Sequence, residues 1–167
     1  MKKAIYLTLT LLIMSCSGTK SATGIPGKKT LKGSWQVTNI KFIGDKGLYK
    51  ANMFDFADSA CFKGSEWVFI PNNGSGKFTT TANGSLCDVN TSRFHWSYFD
   101  GGEGKTQLQF YLTDEKGKRI DAEKSGYRAD IESLDSSSMV MRVPTTYQGN
   151  PFFVVMTFSK VSDNVTL

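Results

Sequence analysis

From Gly33 onward the chain is written in short runs where apolar and polar residues alternate, separated by clusters of Gly, Asn, Asp and Pro. Alternation with a period of two puts successive side chains on opposite faces of a strand, so these runs predict half-buried β-strands. Eight are drawn: Ser34 to Phe42, Ser65 to Ile70, Gly76 to Thr81, Arg93 to Phe99, Thr106 to Thr113, Tyr127 to Leu134, Ser138 to Val143, and Pro151 to Val161. In the fourth, Phe94, Trp96 and Tyr98 share one face and Arg93, His95 and Ser97 the other. In the fifth, Leu108, Phe110 and Leu112 oppose Gln107, Gln109 and Tyr111; in the sixth, Tyr127, Ala129 and Ile131 oppose Arg128, Asp130 and Glu132. Eight strands is the number that closes a small up-and-down barrel whose interior holds side chains or one small ligand. The expected fold is therefore all-β, an eight-stranded antiparallel up-and-down barrel.

The connections agree with this order. Pro71-Asn72-Asn73-Gly74, Asp100-Gly101-Gly102-Glu103-Gly104 and Asp114-Glu115-Lys116-Gly117 supply residues that tolerate positive φ, and short links between sequential strands favour nearest-neighbour pairing. Two stretches break the simple pattern. The last run, Phe152 to Phe158, is apolar on both faces, so either it pairs centrally under a covering element or its outer face meets something else. Leu48 to Phe62, with Met53, Phe54, Phe56, Ala57 and Ala60, is the segment available as a cover, and it is read as one or two helical turns after the first strand.

The N-terminal end has a different grammar. Met1, Lys2 and Lys3 precede an apolar stretch from Ala4 to Met14 that ends in Ser15-Cys16, the anatomy of a secretory signal. That stretch is eleven residues long, against the roughly 20 that a spanning helix needs. Residues 1–15 are read as the signal. Residues 16–32 are Gly, Ser, Thr and Lys with little to bury, the composition of a flexible tether, and the domain is drawn over 33–163.

Charge narrows the partners. The chain carries 20 Lys plus Arg against 15 Asp plus Glu, a net charge of +5. Lys2, Lys3, Lys20, Lys28, Lys29 and Lys32 all lie before the domain, so fourteen basic residues face 15 acidic ones within it. A near-neutral domain has no basic footprint for phosphate backbones, and no nucleic-acid partner is expected. Cys61 and Cys87 remain in the domain, and an exported protein makes their disulfide the default. Closing that loop of about 27 residues stabilises by roughly 3.5 kcal/mol on the chain-entropy account. The competing reading, a metal or nucleophilic thiol site, has only His95 to draw on.

Ser15-Cys16 resembles the bacterial lipobox, in which the cysteine thiol is acylated and becomes the first residue of the mature chain. The alternative is an ordinary signal with an incidental Cys16. Gly33-Ser34-Trp35 matches the Gly-x-Trp that opens the first strand of lipocalins and related calycins. Glu66-Trp67-Val68-Phe69-Ile70 followed by an Asn/Gly turn is similar to a strand of the lipocalin-like domains of small bacterial lipoproteins. The resemblance covers about Leu31 to Val161. It implies a barrel able to enclose a small apolar ligand, Trp35 plugging the closed end, and Lys160 as the cation packed over that Trp. It further implies a lipoprotein of a Gram-negative cell envelope, anchored through Cys16 with palmitate-type acyl chains. The lack of an acidic cluster after Cys16 tilts the expectation towards a periplasm-facing location.

The candidate ligand-lining residues are Trp35, Asn39, Phe94, Trp96, Tyr98, Phe110, Met139, Met141 and Met156. Methionines adapt to irregular ligands and equally fill a packed core. Asn39 shares a face with Trp35 and Val37 by alternation and needs a partner if buried. Asp55 and Asp58 are three apart, a weak cation-site spacing or simply solvated acids, and Asp58-Ser59-Ala60 resembles a short O-glycosylation sequon. His95 falls on the polar face of its strand, so no catalytic triad, metal site or cofactor site is drawn and an enzyme is not expected. Two functions remain: a monomeric, membrane-tethered barrel that binds a small hydrophobic ligand, or a solid barrel that serves as an interaction module in the envelope.

Overall fold

The computed structural model describes residues 26–44, 50–120, 126–147 and 149–165; the expected signal, Cys16 and most of the tether lie outside the described residues. The helical turn α1 (Lys28–Leu31) leads into β1 (Gly33–Ile43). A small ladder of β2 (Asn52–Met53) and β3 (Ala57–Asp58) follows, then a 3₁₀ turn at Ser59–Phe62. After these come β4 (Glu66–Ile70), β5 (Ser75–Thr79), β6 (Thr91–Asp100), β7 (Thr106–Thr113), β8 (Tyr127–Leu134), β9 (Ser138–Tyr147) and β10 (Asn150–Ser162). Eight of the strands form a closed antiparallel barrel in the order β1-β10-β9-β8-β7-β6-β5-β4. This is the expected up-and-down order, closed by β1 pairing with both β10 and β4.

Alternation becomes an inside and an outside. Along β7, Leu108 and Phe110 are fully buried while Gln107, Gln109 and Tyr111 face outward, and β6 buries Phe94 and Trp96 in the same way. Three β-bulges interrupt the ladders: Thr38 is extra in β1, Val161 in β10 and Glu132 in β8. Each extra residue bends its strand and increases its twist, which helps the sheet close on itself.

The floor of the barrel is built around Trp35. Its ring is fully buried, its Nε1–H donates to the Leu31 carbonyl at 2.9 Å, and the Lys160 ammonium lies 5.2 Å from the ring centre. Lys160 in turn pairs with Asp163 at 2.7 Å, which holds the Asp163 carboxyl below its usual range. Gly33 belongs to this arrangement because φ is +130° there and a Cβ would strike the Ser162 carbonyl oxygen. The motif Gly-x-Trp thus has a local cause: the backbone must pass close to β10 so that Trp35 can turn inward. Leu31, in the stretch read as tether, is also fully buried, so the ordered domain begins a few residues before Gly33.

The wall is low on one side. β4 and β5 are five residues long, whereas β1 has 11 and β10 has 13. The segment after β1 fills that gap. The expected short helical segment is present as the one 3₁₀ turn directly before β4, preceded by the β2–β3 hairpin, but the segment goes inside the barrel and does not cover the outer face of β10. Met53, Phe54 and Phe62 are buried in the barrel core because large apolar side chains are needed where β4 and β5 fall short. The outer face of β10 is covered by a neighbour on the sheet, with the Arg142 guanidinium lying 3.8 Å from the centre of the Phe153 ring.

Candidate ligand site at the barrel mouth

The hairpin reaches across the mouth from the low wall to β8. Phe56 N–H donates to the Met53 carbonyl at 3.0 Å, closing a two-residue turn in which Phe54 has φ 58° and Asp55 φ 50°. Positive φ at both central residues is the type I′ geometry, normally taken by Asn-Gly or Asp-Gly pairs. A bulky residue there is an outlier, at a cost of about 1–2 kcal/mol per left-handed residue. Packing outweighs this cost. The Phe54 ring is 5% exposed and lies 5.0 Å from Phe110, 5.5 Å from Tyr127, 5.6 Å from Phe62 and 6.0 Å from Trp67, all between 67° and 88° to it. Each edge-to-face pair is worth about 0.5–1.5 kcal/mol beyond the burial of its area. The Tyr127 hydroxyl also donates to Asp55 Oδ2 at 3.2 Å, which fastens the tip of the turn to β8.

Opposite the low wall, the barrel has an open seam. The β8–β9 ladder runs from Leu134 and Met139 up to Asp130 and Arg142 and ends there, although both strands continue towards the mouth. Pro144 stands on the β9 side of this seam, and a residue without an N–H is tolerated where no ladder bond is required. Between the strands lies a half-open cleft of about 490 Å³. Its walls are Gly126, Tyr127 and Arg128 on β8 and the approach to it, and Val143, Pro144 and Thr145 on β9; Met53 and Phe54 form its base and Asn52 stands beside them. The base is apolar and the rim carries Asn52, Thr145 and the Tyr127 hydroxyl. Arg128 is turned outward, donating from Nε to Gln109 Oε1 at 3.3 Å and lying 3.9 Å from the Phe99 ring centre. An apolar base with a few polar groups at the edge suits a small hydrophobic molecule bearing one or two polar atoms.

The nine residues singled out for ligand contact lie elsewhere. Trp35 is the floor. Phe94, Trp96, Phe110, Met139, Met141 and Met156 are each at most 1% exposed and pack in one interior cluster, with Trp96 Nε1–H donating to the Ser75 carbonyl at 2.9 Å. Tyr98 is partly buried at the floor end, its hydroxyl has no hydrogen-bond partner among the described residues, and burial pushes its pKa up to about 12. Phe110 packs behind the cleft, against the rings of Phe54 and Tyr127 that line it. Asn39 requires a correction. The bulge at Thr38 reverses the parity of β1, so Ile40 follows Val37 inward opposite Met156, and Asn39 pairs with Thr157 on the outer face. The cleft residues on β9 carried one signal in the sequence, a proline directly after an apolar strand.

The remaining candidates find ordinary places. Cys61 and Cys87 form the disulfide, with Cα atoms 5.2 Å apart. Asp58 caps the 3₁₀ turn by accepting from Ala60 N–H at 2.8 Å, and the Ser59 side chain is wholly buried, so the folded domain does not present that sequon. His95 stacks on Tyr111 on the outer wall, ring centres 5.3 Å apart. Among the described residues, no cluster of three or more His, Cys, Asp or Glu could hold a metal ion, and no helix is long and apolar enough to cross a membrane.

A family profile described as a lipocalin-like domain matches residues 31–141. Among solved structures, an odorant-binding protein from bovine nasal mucosa is similar at 16% identity and a TM-score of 0.45, covering 86% of this chain and 77% of its own. The bovine odorant-binding protein complexed with its natural ligand gives the same values, and its complex with a selenium-containing odorant has a TM-score of 0.41. No curated protein matches the sequence.

Proposed function

Because this chain belongs to the lipocalin-like domain family, we propose that it holds a small hydrophobic molecule in the cleft at the barrel mouth, while a lipid on Cys16 tethers it to a membrane. The family is one that binds small hydrophobic ligands. The observation that carries the reading for this chain is the half-open cleft of about 490 Å³, apolar at its base and polar at its rim, where the barrel wall is unpaired. Its size falls within the range of small-molecule sites. The chemistry is retention by burial rather than catalysis.

The first described element, α1, meets the barrel at the floor and the cleft lies at the opposite end, so an anchor upstream of α1 leaves the mouth clear of its point of attachment. We place the protein in the envelope of a Gram-negative bacterium, facing the periplasm, as a monomer. Radiolabelled palmitate incorporated into the wild-type chain and lost in Cys16→Ser supports the anchor; no label in either overturns it.

The ligand is tested by native mass spectrometry of the whole chain carrying Cys16→Ser, purified from a periplasm. A reproducible added mass, lost on denaturation, is the expected result. A bare chain that also shows no added mass with a panel of hydrophobic amphiphiles contradicts the reading. That outcome would favour an interaction module, a reading suited to the dense aromatic interior and to Leu86 and Val89, which stand exposed on the loop held by Cys87.

A further inference from the structure

We infer that the Phe54 ring is a resident occupant of the ligand site, and that the ligand is a ring-bearing hydrophobic molecule whose ring takes the place of this one. The inference rests on the cleft being the binding site and specifies what the cleft accepts.

Three observations converge on it. The first is conformational. Phe54 and Asp55 both stand at positive φ, a position that Asp tolerates and a bulky Phe does not, so Phe54 is held there by what its ring touches and not by its own preference. The second is the shape of the seat. Phe110, Tyr127, Phe62 and Trp67 surround the Phe54 ring in nearly perpendicular contact. If that ring withdraws, the faces it leaves are matched by another aromatic ring, since an alkyl chain fills the space without recovering the edge-to-face attraction. The third is access. The cleft opens onto Phe54 through the seam between β8 and β9, so a molecule entering there meets this side chain first.

The hairpin lies outside the eight-stranded sheet, so its withdrawal leaves the barrel ladders intact and gives up the burial of Met53 and the Phe56–Phe78 ring contact. β2 and β3 pair only with each other in a ladder of two residue pairs, separate from the eight-stranded sheet. The other rings of the seat, apart from Phe62 on the 3₁₀ turn, sit on barrel strands whose withdrawal would open the wall. Movement of residues 52–58 breaks the Tyr127–Asp55 hydrogen bond and relieves the two left-handed residues.

The test uses the whole chain carrying Cys16→Ser and two probes, N-phenyl-1-naphthylamine, which has rings, and 1-decanol, which has none. A single 4-fluorophenylalanine placed at position 54 reports by ¹⁹F NMR whether the ring leaves its seat. Phe54→Gly removes the ring and suits the positive φ. The expected results are a ¹⁹F line that moves to its solvent-exposed position on adding the naphthylamine, and a naphthylamine affinity raised at least about tenfold in Phe54→Gly, because the competent state no longer has to be selected. Decanol should bind at least about tenfold more weakly than the naphthylamine to Phe54→Gly, a difference of about 1.4 kcal/mol. Equal naphthylamine affinity in the two chains, with an unmoved ¹⁹F line, overturns the resident-occupant role and leaves the proposed function standing. Decanol matching the naphthylamine overturns the ring specificity. Failure of both probes to bind either chain overturns the proposed function along with this inference. Should Phe54→Gly not fold, the ¹⁹F measurement decides alone.

Discussion

The two ends of the barrel are built on opposite principles. At the floor the groups around Trp35 are partnered in sequence: Trp35 donates to Leu31, Lys160 covers its ring, Asp163 holds Lys160, and Gly33 gives the backbone room to pass. At the mouth the ladder is unpaired above Asp130 and Arg142, a strained two-residue turn supplies the filling, and a cleft remains open. The floor serves the fold, and its parts cannot move without loss. The mouth puts a strained turn directly beside free space, which is where a site that must admit something is expected.

That difference can be broken experimentally. The largest effect is expected from Trp35→Ala, which should destabilise the domain by about 3–5 kcal/mol in urea denaturation, as for other fully buried aromatic side chains. The same variant should leave the affinity for a hydrophobic probe unchanged under conditions where it stays folded. A loss of affinity as large as the loss of stability would show that floor and mouth are not separable. Removing the disulfide with Cys61→Ser and Cys87→Ser together should cost roughly 3.5 kcal/mol on the loop-entropy account, read as a lower denaturation midpoint that reductant no longer changes.

The sharpest contrast uses one kind of ring at two places. Phe110→Ala removes a side chain from a barrel strand; Phe54→Gly removes the same ring from the turn and relieves its positive φ. The second should therefore cost less, by about 1 kcal/mol, when the two are compared by chemical denaturation. Equal costs would mean the hairpin carries no strain. The smallest effect concerns Tyr98. Its phenol ionises near 10 in the unfolded chain and near 12 in the folded one, so the stability it confers is intact below pH 10 and is lost as pH rises towards 12. Tyr98→Phe should flatten stability against pH in that window; an unchanged slope would place the alkaline loss elsewhere.

Much of the barrel was legible because alternation is a local signal. Thr106–Thr113 and Tyr127–Leu134 have the bounds drawn from periodicity alone, and the interior identities of Phe94, Trp96 and Leu108 follow from the same rule. Periodicity fails where one residue is inserted. The bulge at Thr38 turned Asn39 outward, and nothing in the run Gln36 to Lys41 marks which residue is extra. In the segment Leu48 to Phe62 the helical turn was legible and the hairpin and its inward path were not: the apolar residues are irregularly spaced because they fill a space set by the short β4 and β5, a constraint from distant parts of the chain. The cleft depends on that hairpin meeting a seam between β8 and β9, so of its lining only Pro144 left a trace in one dimension, as a residue that cannot donate to a ladder.

The most direct test of the mouth as the binding site is a ¹H–¹⁵N NMR titration of the whole chain, carrying Cys16→Ser, with N-phenyl-1-naphthylamine. The account expects the largest amide shift changes at Asn52 to Phe54, Gly126 to Arg128, Val143 and Thr145, with Trp35, Trp96 and their floor neighbours unmoved. Changes centred on the floor, spread evenly over the outer wall, or absent at saturating probe would contradict it.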